Sequence, residues 1–125
     1  MASGLEYVQQ QYGAMWRKLG VDTPPWPLAT TPQHDGAYHV EVVDGEYRHI
    51  ASDDRGAYVD LMSTRDVNQL LEWVAIQIAY RLTVREHLRR KGDWPHAEWV
   101  AYQIEQLAKI DPAWASRRRA ALLPG

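Results

Sequence analysis

Residues 64–91, TRDVNQLLEWVAIQIAYRLTVREHLRRK, contain neither Pro nor Gly. They read as one long helix, and that stretch constrains the rest of the chain. Thr64 suits the N-cap, with Asp66 in the first turn to complement the positive helix end. Arg89, Arg90 and Lys91 suit the last turn, and Gly92 suits the stop. At ~1.5 Å per residue the rod is roughly 40 Å long. Its apolar residues form two rows. Val67, Leu70, Leu71, Val74, Ile78 and Leu82 make one; Trp73, Ile76, Tyr80 and Val84 make the other. A helix apolar on two sides is covered on two sides, so a layer is expected on each flank.

The flanking sequence supplies candidates for both layers. Residues 5–19 have an amphipathic face of Leu5, Val8, Tyr12, Met15, Trp16 and Leu19, with Gly20 as the C-cap. Residues 21–36 hold four prolines and predict an ordered loop anchored by Trp26. The period then changes to two. Residues 37–43 and 46–51 flank Asp44-Gly45, a favoured type I′ pair, and predict a hairpin. That turn sets Val43 opposite Glu46, Glu41 opposite Arg48 and Val40 opposite His49. The core face would carry Tyr38, Val40, Val42, Tyr47, His49 and Ala51. The wet face would carry His39, Glu41, Val43, Glu46, Arg48 and Ile50, with Glu41–Arg48 as a cross-strand ion pair. Residues 57–63 predict a third strand, with Ala57, Val59 and Leu61 inward.

Beyond Gly92, Asp93 is expected to cap a third helix whose buried stripe is Ala97, Val100, Ala101, Ile104, Leu107 and Ala108. Asp111-Pro112 starts a short last helix carrying Arg117, Arg118 and Arg119. The expected fold is α+β: an N-terminal helix, a three-stranded antiparallel meander, the long central helix and a C-terminal helix pair, in a single domain over 1–125.

With no Cys among 125 residues there is no disulfide framework, thiolate nucleophile or thiolate metal site. No apolar run is long enough to cross a bilayer and no signal segment is present, which fits a cytoplasmic protein. The net charge of −2 hides an asymmetry. Residues 1–60 carry 9 acids and 4 bases; residues 61–125 carry 7 acids and 10 bases. Most of the acid lies at Asp35, Glu41, Asp44, Glu46, Asp53, Asp54 and Asp60. A negative patch there would steer a cationic partner.

Catalytic and metal chemistry find little support. His87, Asp93, His96 and Glu98 lie near a helix junction, but their spacing matches no ligand motif. Ser, His and Asp show no triad pattern, and Asp53-Asp54 sits in an expected turn rather than a buried acid pair. There is no Gly-rich phosphate loop. Arg89-Arg90-Lys91 and Arg117-Arg118-Arg119 stand where helix C-termini favour cations, so direct nucleic-acid binding is not expected. They leave one alternative reading, a nucleic-acid-binding or regulatory adaptor that uses its basic helix ends. Six Trp and seven Tyr, with no Phe, are assigned first to the core: Trp73, Tyr80 and Trp99 by position.

The stretch YRHIASDDRGAYVDLMSTRDVNQLLEWV resembles the hallmark of a family of bacterial immunity proteins of polymorphic toxin systems, the one numbered sixty-three. The matching elements are Asp54-Arg55-Gly56, Thr64-Arg65-Asp66 and Leu70-Leu71-Glu72-Trp73. The tail LAKIDPAWASRRRA is similar to the family's ending, through Ile110, Pro112, Trp114, Ala115 and Arg117. The resemblance spans roughly residues 36–120. Where the family is expected to carry acids after the Leu-Leu-x-Trp face, this chain has Ala75, Ile76 and Gln77.

The resemblance implies a non-catalytic protein, without cofactor or metal, that binds and neutralises a cognate toxin domain. It would do so by occluding the active site or locking an inactive state. Charge adds that the toxin could be a basic, nuclease-like domain. The contact residues expected from the acidic region are Asp35, Glu41, Glu46, Asp53, Asp54, Arg55 and Asp60.

Overall fold

The computed structural model describes residues 4–31, 38–52 and 58–123, with the side chains of 52–61 outside the description. The element order is α1 (Gly4–Lys18), β1 (Tyr38–Val43), β2 (Glu46–Ser52), β3 (Tyr58–Thr64), α2 (Val67–Arg90), α3 (His96–Ile110) and α4 (Pro112–Leu122). This is the expected α+β order. The chain groups into two compact units, Met1–Ala14 with Asp22–Leu71, and Met15–Val21 with Glu72–Gly125.

Helix α1 buries Val8, Tyr12, Met15 and Trp16 at the expected spacing. It ends in a Schellman motif. Gly20 takes a φ of 82°, its N–H bonds the Arg17 carbonyl at 2.9 Å, and the Val21 N–H bonds Trp16 at 2.9 Å. The following loop is tied down through the main chain of Trp26, whose carbonyl accepts the Tyr12 hydroxyl at 2.6 Å. At the other end of α1, a Cβ on Gly4 would stand 3.0 Å from the Tyr47 hydroxyl, so the helix start and that strand residue approach closely.

The sheet is antiparallel, in the order β1-β2-β3. Asp44 and Gly45 have φ of 52° and 78°, the type I′ pattern, and the register is the expected one. Between β2 and β3 the register shifts at His49/Ile50: His49 pairs with Met62 and Ile50 with Asp60, leaving Leu61 as a bulge. The strict alternation expected through Val59 and Leu61 is therefore broken. Ala57 lies outside the described residues, as do the side chains of Val59 and Leu61.

The face expected to be wet is not wet along its length. His39 and Ile50, which pair in register, are 1% and 6% exposed. On the opposite face Val40 and His49 are buried, while Tyr38 is exposed. The hairpin is thus covered on both faces around the His39–Ile50 and Val40–His49 pairs. Strand alternation identifies the two faces, but how far along each one burial reaches is a tertiary matter.

Helix α2 starts later than the sequence suggests. Thr64 closes β3, and Asp66 is the cap: its side chain accepts from Asn68 N at 2.9 Å, and its carbonyl accepts from Leu70 N at 3.2 Å. Thr64 Oγ1 accepts from Asp66 N at 3.0 Å, so it braces the cap. At the far end Lys91 itself takes the left-handed conformation, with φ 51°, ahead of Gly92. Leu70, Leu71, Val74, Ala75, Ile78, Ala79, Leu82 and Thr83 form the buried face. Thr83 satisfies its hydroxyl by donating to the Ala79 carbonyl at 2.7 Å. The second row is less buried than expected. Trp73, Ile76 and Val84 are intermediate, and Tyr80 is 45% exposed although its ring meets Trp99 edge-on.

In α3 the N-cap position is Pro95, with no side-chain cap, rather than Asp93. The buried residues are Val100, Gln103, Gln106, Leu107 and Ile110, while Ala97 and Ala101 are exposed. The buried face is rotated toward the glutamines. Alanine loses little by facing water, so it marks a face poorly. Helix α4 begins as expected, with the Asp111 carboxylate accepting from Ala113 N and Trp114 N at 2.9 and 3.1 Å.

Candidate interaction surface

Of the seven expected contact residues, Asp35, Asp53, Asp54 and Arg55 lie outside the described residues. Asp60 is described by its backbone alone and stands opposite Ile50. Glu41 and Glu46 are placed on one face of the β1–β2 hairpin, because their register partners are Arg48 and Val43.

The charges on that face pair along strands rather than across them. Glu41 Oε1 lies 2.9 Å from His39 Nε2, and Arg48 Nε donates to Glu46 Oε1 at 3.1 Å. The expected Glu41–Arg48 ion pair is not among the described ones, although the two residues are register partners. The buried His39 claims Glu41, because a buried polar ring costs free energy without a partner. Glu46 and Arg48 side chains remain about a third exposed. At the turn, Asp44 is exposed and its carbonyl accepts from Arg65 Nη1 at 3.1 Å.

His49, on the opposite face, is pushed down to about 4 by burial and by the neighbouring His39. The Tyr38 ring stacks on it at 4.7 Å. At neutral pH it is an uncharged packing group and adds no positive charge to the sheet.

The basic helix ends are differently arranged. Glu86 accepts from both Arg89 and Arg90, which hold its carboxyl down at about 2. Arg117 makes a forked contact with Glu72, its Nη2 at 2.6 Å from Oε1, and this bridges α4 to α2. Three of the cations on which an adaptor reading would rest are thus engaged within the protein.

His87 is not in a ligand cluster. Its ring stacks on Trp94 at 5.9 Å and meets Trp99 edge-on at 5.4 Å, and Tyr102 closes on Trp94 at 5.4 Å. Arg90 lies over Trp94 at 4.3 Å. These rings join α2 to α3. The sequence holds every member of this group, but its two halves are on different helices and no spacing announces it. Among the described residues no group of three His, Cys, Asp or Glu side chains could hold a metal ion.

A family model for immunity protein 63 matches residues 44–123. The chain belongs to the immunity protein 63 family. No curated protein matches it, and no solved structure does. Membership supports an immunity-protein role, implies a toxin as partner, and places the chain in a family that is generally non-catalytic. The matched span includes Glu46, Asp53, Asp54, Arg55 and Asp60, but neither Asp35 nor Glu41. Several family-like residues hold the fold together. Leu70, Leu71 and Ala115 are buried, Asp66 caps α2, and Glu72 receives Arg117. Among the described residues no helix is long and apolar enough to cross a membrane.

Proposed function

We propose that the chain neutralises one cognate toxin domain by binding it, without catalysing any reaction, as a single domain acting in the bacterial cytoplasm. Family membership over residues 44–123 is the observation that carries this reading. The contact surface is the acidic region from Asp35 to Asp60: Asp35, Glu41, Glu46, Asp53, Asp54, Arg55 and Asp60. The concentration of acid in the first half of the chain supports that assignment.

The physical logic is electrostatic. A toxin acting on nucleic acid presents a basic cleft, and an acidic sheet can occupy it as a substrate mimic. Complementary fields raise the association rate and fall away with salt. Slow dissociation then needs a few desolvated anchors. Glu41 contributes through its partly exposed carboxylate while it also satisfies the buried His39.

The test is co-expression with the toxin domain encoded beside this chain's gene. Restored growth, together with a stoichiometric complex on gel filtration, is the expected result. Unprotected cells containing folded chain would overturn the reading.

A further inference from the structure

We propose that the outer edge of β3 is a docking strand, onto which the toxin adds an extended, basic segment main chain to main chain, centred on Ser63. The proposal rests on the toxin-neutralising reading and names the mode of contact within it.

The phase of the hydrogen bonding follows from the turn. In a two-residue hairpin the flanking pair, Val43 and Glu46, exchange both main-chain bonds, and the pattern alternates along the strands. Val42, Val40 and Tyr38 then turn their N–H and C=O groups away from β2. The Val40 N–H does bond outward, to the Ala29 carbonyl at 3.0 Å, which agrees with this phase. On β2 it is Tyr47 and His49 that turn toward β3, and their partners Thr64 and Met62 answer them. Ser63, between those two, directs its N–H and C=O to the outer edge.

The two edges of the sheet are treated differently. The β1 edge is met by the loop through Ala29. Along the β3 edge no backbone partner appears among the described residues, and Met62 and Ser63 are exposed. Natural edge strands are protected by Lys, Pro, bulges or cover. β3, YVDLMST, has no Lys, Arg or Pro. Its bulge lies at Leu61, and the end from Met62 to Thr64 pairs in regular register. A regular open edge is a template for strand addition, in which main-chain bonds supply affinity.

Charge selects the occupant. Asp60 is the single charged residue of β3. Of the described bases nearby, Arg48 is offset by Glu46, and Arg65, which bonds the neutral Asp44 carbonyl and keeps its charge, is outnumbered by Asp44, Asp60 and Asp66. A basic segment is therefore attracted, and an acidic one is repelled.

Ser63→Pro removes one outward N–H and leaves the β2 ladder in place, since Pro is tolerated where an edge N–H faces outward. With the purified toxin domain encoded beside this chain's gene, Ser63→Pro should weaken binding about tenfold or more, while Ser63→Ala, which keeps the main chain, should stay within about twofold. In the wild-type complex the Ser63 amide should exchange with deuterium more slowly than in the free chain. If Ser63→Pro fails to fold, that wild-type exchange measurement decides. Toxin binding by the wild type with an unprotected Ser63 amide and an unimpaired Ser63→Pro would overturn the edge proposal and leave the immunity reading standing. No toxin binding by the wild type would overturn both. A toxin-free dimer with a protected Ser63 amide would assign the edge to a second copy and overturn the proposal.

Discussion

The sheet and the C-terminal helices handle charge differently. In the helices one pair ties two elements, Glu72 receiving Arg117 from α4, while Glu86 engages Arg89 and Arg90 together within α2. In the sheet, the described pairs are between near neighbours on one strand, His39–Glu41 and Glu46–Arg48. Such pairs fix no second element. The difference teaches where to look for recognition: basic groups engaged internally have less to offer a partner than an acidic strand surface whose pairs are local and partly open.

The largest contrast is in stability. Leu107 is fully buried in the helical unit. Leu107→Ala should cost about 2–5 kcal/mol, read by urea unfolding. Folded Leu107→Ala should still bind toxin as the wild type does. A parallel loss of affinity in the folded fraction would break the division between a structural helical unit and a binding sheet.

The sheet has its own stability signature, and it is pH-dependent. In the unfolded chain His49 takes a proton below about 6.5, but in the fold only below about 4. Between those values the unfolded state holds more protons, so stability falls as pH falls through the window. The loss should reach roughly 3 kcal/mol by pH 4. Glu86, held at about 2, stays ionised in the fold but takes up protons in the unfolded chain as pH nears 4.5 and below, so it adds a slope of the same sign at the acid end of the window. Denaturant titrations at pH 7, 5.5 and 4 on wild type and His49→Asn check this. Identical slopes in the two proteins would assign the effect to other groups.

That histidine shows what a sequence can and cannot reveal. The Asp44-Gly45 turn was legible because its residues favour positive φ, and once the turn is placed the register follows. The Asp111 cap was legible because its chemistry is local. The depth of burial was not. Strand alternation put His39 and Ile50 on the wet side, yet both are buried. Ala97 and Ala101 of α3 resembled core and face water, while Gln103 and Gln106 are inside. Alanine fits either environment, and amide side chains enter where the packing accepts them. The expected ion pair failed for a related reason: register brings Glu41 opposite Arg48, but the competing demand of His39 decides. Within the acidic surface, the sequence supplied sign and location, not which carboxylates stay open.

A smaller effect is expected from the inter-helix bridge. The Arg117 side chain is more than half exposed. Arg117→Ala should cost little stability, less than Leu107→Ala by a wide margin, since water screens such pairs. A double-mutant cycle with Glu72→Gln measures the coupling. A much larger coupling would make this bridge, rather than apolar packing, the main tie between α2 and α4.

The most direct test sets the two regions against each other at equal charge. One variant reverses Asp53, Asp54 and Asp60 to Lys; its control reverses Asp93, Glu98 and Glu105, all exposed on the helical side. Binding to the toxin domain encoded beside the gene is measured by surface plasmon resonance at two salt concentrations. The account predicts that the sheet variant loses about tenfold or more in affinity, mainly through slower association. The control should bind as the wild type does, with both variants folded. Equal losses in the two variants, or no loss in the sheet variant, would contradict the claim that the acidic sheet region meets the toxin.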